Sequence, residues 1–221
     1  MCYSPAMSMS FALLGVAALI YVQDSKKAYL SFLILFYIGM EILQSMQTYL
    51  LDDCENRWNY LLTEVAYLFL IVQPFIWNFY FYHNSSLSES GLFKAGIGLS
   101  IAWMVFSLLG RLLYGTMKPM TKDDSIFTGD KVCTYRGVSH LYWEWTSANF
   151  KDFNPTYLMY FLVWFIPALL STSHRITGII IAMSALLSAG ISAYMGNINE
   201  FTTTWCYISI PIMAFIVFIE K

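Results

Sequence analysis

Apolar residues in this chain come as long blocks rather than as stripes. Runs with little or no charge cover residues 10–22, 29–50, 58–82, 92–114, 156–170, 176–196 and 202–219. A helix needs about 20 apolar residues to cross the hydrocarbon of a bilayer, so the blocks predict an all-α, polytopic seven-transmembrane-helix bundle forming a single membrane domain over residues 1–221. The first block is extended by the uncharged lead 1–9 and has neither a basic start nor a cleavage site, so it reads as a retained span rather than a signal peptide. The fifth follows Pro155, which suits a helix N-terminus. Pro74, Pro167 and Pro211 fall inside spans, where each removes a backbone donor. Only the connection 115–154 is long.

The polar positions inside the blocks carry the information about function. A mid-helix carboxylate costs about 2.5–3.5 kcal/mol on insertion scales, so Glu41 requires an explanation. Tyr37, Glu41, Gln44 and Thr48 share one helical face. On the third span Tyr60, Glu64, Tyr67, Ile71 and Asn78 share another, and antiparallel neighbours can line one cavity. Arg111, near the end of the fourth span, could reach Glu64 or Glu200, while Asn197, Asn199 and Glu200 add polarity between spans six and seven. The expectation is an outward-facing pocket lined by Glu41, Gln44, Glu64, Asn78, Arg111, Asn199 and Glu200. The structural alternative keeps Glu41 neutral and hydrogen-bonded to Gln44 or a tyrosine hydroxyl. Ser184, Ser188 and Ser192, beside Ala185, Ala189 and Ala193, read as a close-packing scaffold.

Composition supports this picture. The 221 residues are 58% hydrophobic and only 12% charged, with a net charge of -2. Soluble domains are about 25% charged, and a nucleic-acid binder needs a basic face that this chain lacks. The same figures exclude a disordered chain. The expected surroundings are a lipid bilayer and a small solute or ion, with room for a homo-oligomer. Lys26 and Lys27 follow the first span directly and favour an N-terminus outside and a C-terminus in the cytoplasm. Cys2, Cys54, Cys133 and Cys206 then fall on one face, which points to an oxidising extracellular or lumenal compartment and two disulfides of undetermined pairing. Asn84-Ser85-Ser86 would be cytoplasmic and read as a polar turn.

The long loop contains Gly137, His140, Tyr142, Trp143, Glu144 and Trp145. On a short helix His140 and Glu144 would be one turn apart, but one pair is too few ligands for a metal. The aromatic content favours an interfacial lid, with His140 and Trp143 as its candidate residues. No metal or other cofactor is expected.

Certain residues also carry a resemblance: the opening Met1-Cys2-Tyr3-Ser4; Glu41-Ile42-Leu43-Gln44; Gln73-Pro74-Phe75 with Asn78; Cys133 ahead of Gly137, His140 and Trp143; and Asn199-Glu200 followed by Trp205-Cys206. This ordered set resembles a family of small multi-span membrane proteins known only as a domain of unknown function. The chain departs from the family pattern at Tyr3 and Ser139, where Trp is common. The resemblance implies that Glu41, Gln44, Gln73, Asn78, His140, Asn199, Glu200 and the four cysteines belong to the family pattern, and it implies no activity. Two other seven-span classes are set aside. Residues 202–219 hold no lysine for a retinal Schiff base, and His83 and His174 are expected inside while His140 is outside, so an alkaline-ceramidase-like three-histidine zinc site cannot assemble.

Binding and movement of a small solute or cation is therefore the leading expectation, as in a transporter or channel. A membrane-embedded lipid-modifying enzyme, with Glu41 or Glu64 as acid or base, is the alternative. A seven-helix ligand receptor without retinal is the third.

Overall fold

The computed structural model describes residues 5–23, 28–151, 153–154 and 156–219. Its helices are α1 (Pro5–Gln23), α2 (Ala28–Gln47), α3 (Arg57–Asn84), α4 (Ser90–Leu112), α5 (Tyr157–Leu170), α6 (Arg175–Tyr194) and α7 (Phe201–Ile219). Helices α1, α2, α3, α4 and α6 are long and apolar enough to cross a membrane. Helix α5 is apolar but shorter, with 14 residues.

The long connection departs from expectation. In place of a short helix it holds two antiparallel strands, β1 (Cys133–Arg136) and β2 (Leu141–Glu144), so the fold is not purely helical. The turn between them closes from the Gly137 N–H to the His140 carbonyl at 2.7 Å. The aromatic Tyr135, Tyr142 and Trp143 suit strands, and four residues are too few for a helical period to form.

The chain divides into two compact units. The first comprises residues 1–62, 134–142 and 180–221. Here α1 packs against α2 and α7 at Gly15, where an added Cβ would lie 2.6 Å from Ile38 Cγ1 and 3.4 Å from Ile210 Cδ1. Helices α6 and α7 are joined by the Trp205 indole N–H donating to Ser184 Oγ at 2.9 Å, with Ser192 Oγ 3.4 Å from Thr204 Oγ1.

The second unit comprises residues 63–133 and 143–179. Its central joint is Asn78. Pro167 has no N–H to give to Val163, four residues earlier in α5, and Asn78 Nδ2 supplies the missing donor at 3.1 Å. The same amide donates to the Pro74 carbonyl at 2.9 Å and lies 3.4 Å from Ser100 Oγ. Gly96 makes the approach possible: a Cβ there would lie 2.2 Å from Asn78 Oδ1 and 3.1 Å from Pro167 Cγ. One asparagine thus joins α3, α4 and α5.

Candidate functional site

The expected pocket residues separate into groups with different partners. Glu41 and Gln44 lie on α2 in the first unit, and both side chains are 0% exposed. Neither oxygen of Glu41 and neither polar atom of the Gln44 amide makes a hydrogen bond among the described residues. The expected bond between Glu41 and Gln44 or a tyrosine is therefore not made. Ser8 of α1 faces the Glu41 carboxyl, and Cys206 of α7 faces both Gln44 and Glu41, all outside hydrogen-bond geometry. One turn before Cys206 on α7, the buried Thr202 hydroxyl is likewise without a partner among the described residues. A carboxyl, an amide, a hydroxyl and a thiol thus gather where α1, α2 and α7 meet.

Glu64 and Arg111 belong to the second unit and form an ion pair. Arg111 also donates to the Thr146 carbonyl and to Thr146 Oγ1, and its guanidinium lies 5.2 Å from the centroid of the Tyr67 ring. Its position in the last turn of α4 suits the negative end of the helix. Of the two partners expected for Arg111, the one found is Glu64. Asn78, expected as a pocket liner, is committed to the α3–α4–α5 joint.

Glu200 ends the 3-10 turn Ile198–Glu200 ahead of α7 and is 0% exposed. Its carboxylate accepts hydrogen bonds from the backbone N–H groups of Val138, Ser139 and His140 and from the Ser139 hydroxyl. Burial works to raise its pKa, and these four bonds outweigh it, holding the carboxyl below its ordinary value. Gly137 permits this wrapping, since a Cβ there would lie 2.2 Å from Glu200 Oε1 and 2.3 Å from the His140 carbonyl oxygen. Asn199 is half-buried, and its N–H donates to Asn197 Oδ1 at 3.1 Å.

The candidate lid residues are part of the packed interior. His140 is 5% exposed and Trp143 0%. Burial lowers the His140 pKa to about 4, with the Glu200 charge acting in the opposite direction, so the ring is neutral near neutral pH. Its Nδ1 accepts from the Leu141 N–H at 2.7 Å, which puts the ring proton on Nε2. Glu144 forms an ion pair with Lys122 at 2.6 Å.

The cysteines divide as well. Cys54 and Cys133 are joined in a disulfide. Cys206 is a free, buried thiol, which corrects the expectation that all four cysteines pair. It fails to pair because it points from the second turn of α7 toward α2 rather than into the loops. Cys2 lies outside the described residues.

Several residues that position these groups were not singled out from the sequence. Asn59 donates to the carbonyls of Leu50 and Thr134 at 2.6 and 3.1 Å and accepts from the Thr134 N–H at 2.9 Å. Asp52, in the left-handed region at φ 67°, accepts from the Arg136 N–H at 2.9 Å. Thr203 donates to the Leu141 carbonyl at 2.6 Å. In the second unit Glu89 gathers the hydroxyls of Ser171, Thr172 and Ser173 and the Thr172 N–H. The Ser173 hydroxyl, followed by the Thr172 groups, holds Glu89 down at about 2. A signal existed: Ser171-Thr172-Ser173 is a run of hydroxyls at a helix end, suited to an acceptor.

No curated protein and no solved structure matches this chain. A family of unknown function, DUF5765, matches it over residues 6–220, nearly the whole length that carried the resemblance, and the chain belongs to that family.

Proposed function

We propose that this chain is a multi-pass membrane protein that binds and moves a small monovalent cation, a proton included, at Glu41. In this reading all seven helices cross the bilayer, with the N-terminus outside, the C-terminus in the cytoplasm and the hairpin on the outer side. An inverted distribution of polarity supports the membrane setting. Leu13, Ile20, Met183 and Leu186 are 60–66% exposed, whereas Ser184, Ser188 and Ser192 are buried at 7%, 0% and 0%. Water would favour the reverse, and lipid favours this one.

The observation that carries the cation reading is that Glu41 and Gln44 are fully buried and have no hydrogen-bond partner among the described residues. A buried polar group left unsatisfied costs about 1–3 kcal/mol, so two adjacent ones are expensive unless something occupies them. One carboxylate surrounded by neutral oxygens matches a single positive charge. A divalent ion would retain an uncompensated charge in hydrocarbon. Because Glu64, Asn78, Arg111 and Glu200 are engaged elsewhere, the site narrows to Glu41, Gln44, Ser8 and Cys206.

Flux measured in proteoliposomes under imposed proton, sodium and potassium gradients tests this. Wild-type protein should conduct one of these ions, and Glu41→Gln should abolish the flux while preserving the melting temperature. Wild-type vesicles tight to all three would overturn the reading. Glycosylation at Asn84 would invert the orientation.

A further inference from the structure

The cluster around Glu41 contains an atom that a hard cation such as sodium does not require. Cys206, in the second turn of α7, is 2% exposed, and its thiol is outside any disulfide. Glu41 and Gln44, three residues apart on α2, face it from the neighbouring helix. Both are 0% exposed, and none of their four side-chain polar atoms makes a hydrogen bond among the described residues.

A buried thiol among hydrocarbon is ordinary packing. This one is set instead against a carboxyl and an amide whose hydrogen bonds are unmade. Two donors each about 2.0–2.3 Å from a metal ion stand up to about 4.5 Å apart, farther than a hydrogen bond reaches. Polar side chains that face one another without bonding suit that spacing. Sulfur then decides the kind of ion, because a thiolate prefers soft metals and copper(I) in particular.

We propose that Cys206, Glu41 and Gln44 form a site for a soft monovalent metal ion of the copper(I) and silver(I) class, held by the Cys206 sulfur. This rests on the reading of Glu41 as a cation site and adds the ion that the site retains most tightly. Binding breaks the S–H bond and forms a sulfur–metal bond, and the proton passes to the Glu41 carboxylate. One positive charge enters, and the products are a thiolate–metal pair and a carboxylic acid, both uncharged and so suited to burial. The Gln44 amide oxygen supplies a second ligand. Sodium and potassium have little affinity for sulfur and leave, whereas a soft ion stays.

The test uses full-length protein in detergent and chloride-free buffer, carrying Cys2→Ser so that Cys206 is the one thiol outside the Cys54–Cys133 disulfide. Silver(I) is titrated in, with free ion read by a silver-selective electrode and the melting temperature followed in parallel. One silver per chain should bind and raise the melting temperature, and Cys206→Ser should lose both effects. Glu41→Gln keeps the thiol but cannot accept its proton, and Gln44→Leu removes the second ligand. Each should weaken the affinity about tenfold. A parent protein that binds no silver overturns the proposal, as does equal binding by Cys206→Ser. Affinity unchanged in both Glu41→Gln and Gln44→Leu, which is capture by a thiol alone, overturns it too. Flux of protons, sodium and potassium is recorded separately. Tight vesicles made from protein that binds silver overturn conduction alone, and conducting vesicles from protein that binds none overturn the soft-metal site alone. Where both hold, silver should block flux through the parent and spare Cys206→Ser.

Discussion

Asn78 offers a sharp test of how the second unit is held together. If its amide replaces the donor that Pro167 lacks, removing the asparagine and restoring the missing N–H should offset one another. Asn78→Ala leaves the Val163 carbonyl without its 3.1 Å donor and also removes the bond to the Pro74 carbonyl. An unsatisfied buried carbonyl costs about 1–3 kcal/mol, while interhelical hydrogen bonds in membrane proteins average about 0.6 and reach about 1.7 kcal/mol. A loss of about 2 kcal/mol is expected for the single variant. Pro167→Ala gives Val163 a donor within its own helix but removes a ring packed near Gly96, so its own effect should be below about 1 kcal/mol. The double variant should then be more stable than the sum of the singles by about 1 kcal/mol.

Gly96→Ala provides an independent arm. Its Cβ would lie 2.2 Å from Asn78 Oδ1, so in the wild-type background it must displace the amide and reproduce much of the Asn78→Ala loss. In the Asn78→Ala background that clash is gone, and the substitution should be nearly silent. The assay is equilibrium unfolding in mixed detergent and sodium dodecyl sulfate, with the interaction energy taken from the double-mutant cycle. Additivity within about 0.3 kcal/mol in both cycles would refute the reasoning.

Glu200→Gln should destabilise the hairpin turn by about 1–3 kcal/mol at neutral pH, since the four donors gathered on it lose their charged acceptor. Because both His140 and Glu200 have depressed folded values, protection of the 138–140 amides should fall with pH. His140 acts from about 6.5 down to about 4, and Glu200 acts below its ordinary value. Hydrogen exchange checks this, and protection that rises on acidification would contradict it. Under non-reducing denaturation a maleimide should label Cys206 and spare Cys54 and Cys133; label on Cys54 would remove the disulfide from the account. Cys54→Ser should cost about 2–4 kcal/mol, the range for a cross-link that closes a long loop.

Helix positions were legible in the sequence because uncharged runs of about 20 residues mark apolar helices of that length. Residues 92–114 had to form one helix of about that length, and α4 runs Ser90–Leu112. The face shared by Glu41 and Gln44 was legible for the same reason, since 3.6-residue spacing needs no tertiary knowledge. Asn78 was only half legible. Its side chain could be put on a face, but its partner is a carbonyl exposed by a proline in another helix. Pro167 does announce that Val163 needs a donor, so pairing each mid-span proline with a buried amide at similar depth would have found the joint. The hairpin was not legible, because four-residue strands with clustered aromatics carry too little period to separate strand from helix. Without the hairpin the fate of Glu200 could not be known, since its donors are three consecutive N–H groups of that turn.

The acids of this chain are informative when compared with one another. Glu200 has four donors, Glu89 gathers four, Glu64 holds Arg111 and Glu144 holds Lys122. The fold is therefore capable of satisfying a carboxylate by backbone, hydroxyl or cation, and it does so even near the surface, where water would serve. Glu41 is fully buried, where an unsatisfied acid is costly, and it lacks any such bond among the described residues. Burial alone does not explain the difference, because Glu200 is equally buried and fully bonded. The proposed exchangeable cation at Glu41 rests on this contrast with the bonded acids.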